Sequence, residues 1–334
     1  MTATPQSDAE VMISIIVPVY NVATYVEDCL QSIESQVFGH RYETILIDDG
    51  STDSSVDICR RFIEQKSAPG FRILEHPENK GVSVARNLGL EHARGRYLMF
   101  ADPDDLLPPS ALSILFEAAE QYRADIVKGD LVLFDDRKQR LAPDRVRRTR
   151  LVCGEHVLSE LFEHSEVRGH VGGKLFRHDR FSEIRFTVGV RMAQDLLYFS
   201  EVFASADSLL LIGQEVYEYR KHGTGSTGRK YEKGSYIDWL GAVEASGKFA
   251  RTPGQKRAHK KLMLRTMTQI ARECRRIPTD SAAAVLTVIE QKCRQWKLGI
   301  LNTAVVDRLG LRGLGRYIKL QLALRQVRRN LSRS

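Results

Sequence analysis

Along the first 130 positions the apolar residues switch repeatedly between two spacings. Segments 13–19, 43–47, 71–75 and 97–101 are short apolar or β-branched runs, which read as strands buried on both faces. Between them, 22–36, 82–93 and a stretch from a Thr52 or Asp53 cap to about Lys66 carry helical spacing. A further helix is predicted over 109–122, and another strand starts at 125–128. This alternation predicts an α/β fold with a mostly parallel central sheet, covered on both faces and joined by right-handed crossovers.

The pattern weakens from about 130 to 165, where Asp135-Asp136 and a basic run at 145–150 predict an irregular excursion. Segment 191–203 reads as a helix, and 209–212 and 216–219 as separate short strands. The glycine-rich stretch 222–228 has the composition of a mobile loop. Beyond about 231 the chain reads as helical: 231–251, 256–276, 281–298 and a last segment from about 303. The expected organisation is a disordered N-terminus over 1–11, an α/β domain over 12–230 and a helical region over 231–334.

Composition changes this picture little. The five cysteines are scattered without CxxC spacing, which argues against a disulfide framework or zinc site and suits a reducing cytoplasm. Residues 1–10 show no secretory signal, and no apolar stretch reaches membrane-spanning length. The formal charge of +8 is concentrated at 145–150, 256–276 and after 308. Segment 307–334 holds eight Lys or Arg against one acid, with leucines at amphipathic spacing, although Gly310, Gly313 and Gly315 weaken its start. It reads either as a peripheral contact with anionic lipid or as a helix packed on its own domain. No nucleic-acid module accompanies the charge, so no nucleic-acid partner is expected.

The densest chemistry is Asp102-Pro103-Asp104-Asp105, directly after an apolar strand. Three carboxylates at the carboxyl end of a strand lie where open α/β sheets bind ligands. They repel one another, and oxygen-only ligands suit Mg²⁺ or Mn²⁺. An acidic turn ahead of Pro108 and Pro109 is the plainer reading, but a turn does not need three acids. Two other strand ends join it: Val17-Pro18-Val19-Tyr20-Asn21 and Ile47-Asp48-Asp49-Gly50-Ser51. A strand-end tyrosine can stack on a base and a carboxylate can accept from a base N–H, though Asp49 also suits a turn and helix cap. In Asn79–Asn87, Gly81 permits a tight turn and Arg86 can clamp a pyrophosphate, or serve as an ordinary surface arginine.

The segments IIVPVYN, LIDDGSTD, NKGVSVARN and FADPDD resemble those of glycosyltransferase family 2, inverting enzymes with the GT-A fold. The resemblance covers roughly 12–130 and extends more loosely to 228 through Gly173–Arg177, Gln194-Asp195 and Tyr219-Arg220. It implies an activated donor, usually a UDP-sugar, and Mn²⁺ or Mg²⁺. By matching position, Pro18, Tyr20 and Asp49 contact the nucleoside, with Asp49 on the uracil; Asn21 and Arg86 complete the donor set. Asp104 lies near ribose and diphosphate, and the metal set is drawn from Asp102, Asp104 and Asp105. Residues 12–130 would bind the nucleotide-sugar, and 131–230 would face a glycan or lipid-linked acceptor.

Asp195 aligns with the family's acidic pair and is the candidate general base, although Gln194 replaces the usual acid beside it. The plainer reading of Asp195 is a surface residue of an amphipathic helix. The expected function is transfer of a sugar to a hydroxyl in polysaccharide or glycolipid synthesis, in the cytoplasm or at the inner membrane face. The altered acidic pair leaves open a catalytically silent GT-A module that binds nucleotide-sugar or partner proteins.

Overall fold

The computed structural model describes residues 10–66, 70–137, 139–144, 148–222, 233–274, 279–295 and Leu324. The expected N-terminal disorder, the 222–228 loop beyond His222 and the basic tail beyond Gln295, apart from Leu324, lie outside the described residues. The chain forms two compact units, 1–154 with 169–189 and 205–228, and 155–168 with 190–204 and 229–334. Two segments of the middle region thus join the C-terminal helices.

The first unit is built on one sheet. Among the described residues its strands are β1 (Ile13–Val19), β2 (Tyr42–Asp48), β3 (Phe71–Glu75), β4 (Tyr97–Phe100), β5 (Ile126–Asp135), β6 (Arg140–Asp144), β7 (Arg150–Cys153), β8 (Lys174–Arg177) and β9 (Ser208–Lys221). They run in the order β3-β2-β1-β4-β8-β5-β9-β7, with β6 beside β5. The four N-terminal strands pair in parallel, as the βαβ pattern predicts. Beyond them the sheet is mixed: β8 lies antiparallel between β4 and β5, β9 is parallel to β5, and β7 is antiparallel to β9. Every residue of β1 is buried, the signature of a central strand covered on both faces.

Helix Val26–Glu34 starts later than its spacing predicts, because Val22 and Ala23 spend their amides on Ser55 Oγ (2.8 Å) and Asp53 Oδ2 (3.1 Å). Asp53 also accepts from the Ser55 amide at 2.9 Å, at the start of helix Ser55–Lys66. Helices Val82–His92 and Ala111–Tyr122 complete the N-terminal crossovers. Gly89 lets the former lie against the sheet: a Cβ there would overlap Ile16 Cγ2 and sit 3.0 Å from Ile47 Cδ1.

Two expectations are corrected. The weak region 130–165 is not irregular: it holds the end of β5, strands β6 and β7, and helix His156–Glu163. Segments 209–212 and 216–219 are one strand, β9, whose register against β5 shifts around Asp130. Long-range pairing carries Gly213, Gln214 and Glu215 through a strand that local propensity would interrupt.

The second unit is helical: His156–Glu163, Gln194–Ser205, Lys233–Ser246, Pro253–Glu273 and Thr279–Gln295 are its longer elements. The long helix opens on a capping box between Thr252 and Gln255, with Pro253 at its first turn. His259 is buried on this helix and donates Nε2–H to Val243 O at 2.6 Å. Gly247 packs close to its ring, where a Cβ would lie 2.6 Å from His259 Cε1. No helix among the described residues is long and apolar enough to cross a membrane.

Two outcomes follow from this packing. Overpacking costs about 1–3 kcal/mol, against the ~1 kcal/mol that alanine gains over glycine in a helix. Gly89→Ala is therefore expected to lower the urea midpoint rather than raise it. Burial holds the His259 pKa below its ordinary value of 6.5. The unfolded chain binds the extra proton in the window below 6.5, so this contribution to stability is complete above that pH and is lost as pH falls. Thermal denaturation at pH 7 and 5.5 should show a larger drop for the wild type than for His259→Gln.

Candidate active site

The carboxyl ends of β1, β2 and β4 are neighbours in the sheet, and side chains tie their loops together. Asn21 follows β1 in a left-handed conformation (φ 50°). Its Oδ1 accepts from the Thr52 amide at 2.8 Å and its own amide donates to Ser51 Oγ at 3.2 Å, fastening the β1 loop to the β2 loop. Pro18 pairs within the sheet opposite Ile47, and Tyr20 is left exposed at the strand end.

Asp49 is buried, and its carboxylate holds the segment leading into helix Val82–His92. It accepts from the amides of Lys80 (3.0 Å) and Gly81 (2.8 Å), and His76 Nδ1 lies 2.8 Å away. The two oxygens offer about four acceptor positions, so most of them are already used within the protein. A Cβ at Gly50 would lie 2.6 Å from the Glu78 carbonyl carbon, so that glycine permits the close approach, while Gly81 is required by its φ of 93°. One turn into the same helix, Arg86 is buried; it donates to Asp102 Oδ1 at 2.9 Å and lies 5.3 Å over the Phe186 ring. Asp49 and Asp102 thus flank the first turns of a single helix. In that first turn the Ser83 hydroxyl is buried with no hydrogen-bond partner among the described residues.

The three clustered carboxylates have separate fates. Asp102 keeps a side chain 28% exposed beside Arg86. Asp104 is 23% exposed and pairs with His222 Nε2 at 2.8 Å. Asp105 is fully buried, accepting from Tyr217 Oη (2.8 Å) and the Arg220 amide (2.8 Å). Burial, then the charges of Asp104 and Asp102, push its carboxyl well above the usual range. No group of three His, Cys, Asp or Glu among the described residues is arranged to hold a metal. Of the three acids from which the metal set was drawn, Asp105 is turned into the interior, and Asp102 and Asp104 stay partly exposed.

Sequence reasoning reached Arg220 through the Tyr219-Arg220 motif and placed His222 at the start of the glycine-rich stretch, but overlooked Tyr217. Tyr217 Oη accepts from the Asp102 amide at 2.9 Å while donating to Asp105, so one hydroxyl fixes both acids. Arg220 donates Nε–H to Asp104 O (2.9 Å) and Nη2–H to Asp28 Oδ2 (2.9 Å), under the rings of Tyr25 and Phe134. His222 packs 4.5 Å from the Tyr25 ring. The signal for Tyr217 is its position on the late strand, one strand repeat before the Tyr219-Arg220 pair. His76 carried no local signal at all.

Asp195, the candidate base, belongs to the second unit. It lies half-buried in the first turn of helix Gln194–Ser205, after Ala193 at φ 58°. There it borders a cavity with Arg168, Trp239 and Arg265.

The sequence profile described as Glycosyl transferase family 2 matches residues 14–185, and the chain belongs to that family. GlyA, a glycosyltransferase of Streptococcus pneumoniae, is 30% identical over 62% of this chain but only 30% of its own length. The putative glycosyltransferase EpsH of Bacillus subtilis is 27% identical over 75% of this chain and 72% of its own. The same bacterium's minor teichoic acid biosynthesis protein GgaB is 27% identical over 66% and 24%. Among solved structures, S. aureus TarS 1-349 in complex with UDP-GlcNAc aligns with a TM-score of 0.62 at 15% identity, covering 94% of this chain and 92% of that one. The mannosyltransferase PcManGT of Pyrobaculum calidifontis, in complex with GDP-Man and Mn²⁺, gives 0.55 at 15% identity, covering 94% and 87%. These likenesses are of fold, and the chain is a glycosyltransferase of GT-A architecture.

Tyr217→Phe tests the shared hydroxyl. It strands a buried carboxylate oxygen and the Asp102 amide, a loss of about 1–3 kcal/mol. Chemical denaturation should report that destabilisation with the secondary structure retained.

Proposed function

We propose that the protein moves a sugar from a nucleotide-sugar, a UDP-sugar, to a hydroxyl of a growing polysaccharide or lipid-linked glycan, with inversion and with a divalent cation. The observation that carries this reading is the tethering of the β1, β2 and β4 loops around the N-terminus of helix Val82–His92. That end has a glycine in place of a side-chain cap and an unpartnered Ser83 hydroxyl. Helix N-termini of this kind suit phosphate oxygens. Tyr20, exposed at the neighbouring strand end, suits stacking on the base.

The donor set fits a hard cation. Asp102 and Asp104 are the partly exposed carboxylates, and Mg²⁺ usually takes one or two carboxylates alongside substrate phosphates. Such an ion, when bound, would offset the diphosphate's negative charge as the bond to the sugar breaks. Arg86 and His222, which now contact those two acids at 2.9 and 2.8 Å, would be partly released towards the phosphates. Asp49 serves foremost to hold the 76–81 segment, with at most a remaining acceptor position for the uracil. Asp195, at the family's acidic position, takes the proton of the attacking hydroxyl. The acceptor oxygen bonds to the anomeric carbon as the nucleoside diphosphate departs from the opposite face.

Nucleotide release from UDP- and GDP-sugars, with and without Mn²⁺, tests the reading. Metal-dependent release of UDP that falls at least 100-fold in Asp104→Asn and in Asp195→Asn is expected. Binding of UDP-sugar without turnover under any condition would instead identify a silent binding module. Preference for GDP would overturn the choice of donor.

A further inference from the structure

The cavity in the second unit has a volume of about 370 Å³, with Arg168, Asp195, Trp239, Arg265 and Thr266 in its lining. Its two guanidinium groups come from different elements, the turn Ser165–Arg168 and the helix Pro253–Glu273. Both reach the C-terminal carbonyls of helix His156–Glu163. Arg168 Nη1 donates to Leu161 O (3.2 Å) and Phe162 O (3.3 Å), while Arg265 donates to Phe162 O and to Glu163 O (2.5 Å). Capping the negative end of a helix accounts for one face of each cation.

Capping does not account for the rest of Arg168. A guanidinium carries five N–H donors. Among the described residues those of Arg168 serve these two carbonyls alone, with no carboxylate in ion-pair distance. Glu166, the acid of its own turn, pairs with His164 at 3.2 Å. Burial and the like charge of Arg265 push the Arg168 pKa down to about 10. A guanidinium held on backbone carbonyls, with a second cation beside it, is costly unless an anion enters. A volume of this size, with an aromatic wall and a few convergent polar groups, matches a small-ligand pocket.

We propose that this cavity receives the acceptor through an anionic group, a phosphate or a carboxylate, bound by Arg168, with Trp239 against the adjoining sugar. Naming the anion as part of the acceptor rests on the transferase reading above, through Asp195 in the same wall; the anion site itself rests on Arg168. The acceptor class is then a glycan carrying phosphodiester or uronate groups rather than a neutral sugar chain. Planar N–H pairs suit bidentate recognition of either oxyanion.

Calorimetric titration of the full chain with glycerol 3-phosphate and with glucuronate, beside glycerol and glucose as neutral partners, tests this. The wild type should bind an anionic probe and neither neutral one, and the preferred anion distinguishes phosphate from carboxylate. Arg168→Gln should weaken anion binding at least tenfold and leave UDP affinity within twofold. Asp195→Asn should tighten anion binding, because it removes the like charge from the wall. No anion binding by the wild type, or equal binding by Arg168→Gln, overturns the proposal. Should Arg168→Gln also lose UDP binding, as a misfolded chain would, Asp195→Asn decides: unchanged anion affinity overturns the site. If UDP fails to bind while Arg168-dependent anion binding persists, the transferase reading falls and the anion site stands.

Discussion

Asp105 is a carboxylate with no access to water, held by a tyrosine hydroxyl and a backbone amide from β9, and the geometry of the acidic loop depends on it. Leu106 and Glu218 form an isolated bridge beside it, so the loop after β4 is latched to the late strand along several residues. The latch joins parts of the chain more than a hundred positions apart. A parallel N-terminal half and a mixed distal half share one sheet, and this contact makes the position of Asp102 a property of both. Gly172 belongs to the same constraint: a Cβ there would overlap the Tyr217 ring. The hydroxyl can reach Asp105 and the Asp102 amide only because that space is empty.

Three adjacent acids would repel strongly if they shared one environment, and the fold separates their roles instead. One is desolvated and hydrogen-bonded, one is set against a buried arginine, one against a histidine. The acids left at the surface are therefore partnered before any ligand arrives. A phosphate–cation pair entering such a site exchanges partners rather than creating charge contacts from nothing. This keeps the cost of the empty state low.

The N-terminal half was legible because its signals are local. Buried runs of period-less apolar residues, helical spacing and turn chemistry at Asp53, Gly50 and Gly81 all act within a few positions. The four motifs lie at strand ends, where connectivity alone brings them together. The distal half was not legible, since β6, β7 and the middle of β9 are strands by virtue of their neighbours. Glu215 sits opposite Asp130 and Glu218 opposite Val132, pairings that no periodicity announces. Tyr217 and His76 were missed for the same reason: each acquires its role from a carboxylate far away in sequence. Asp49 holds the amides of Lys80 and Gly81, work that belongs to the turn-and-cap reading set beside its expected contact with the base.

Charge tells a similar story in the second unit. A basic composition spread over 256–276 looks like a solvated helix face, and Lys256, Arg257 and Arg272 are exposed as that reading has it. Arg265 differs because it turns inward to helix-end carbonyls, and Arg168 meets it there from a turn that composition does not mark. Backbone carbonyls can orient a guanidinium but cannot neutralise it. An arginine oriented in this way, beside a second cation, keeps its full electrostatic demand and loses only its freedom to move. That is the condition under which an arriving oxyanion pays little ordering cost, and it separates a pocket wall from a surface patch of equal charge.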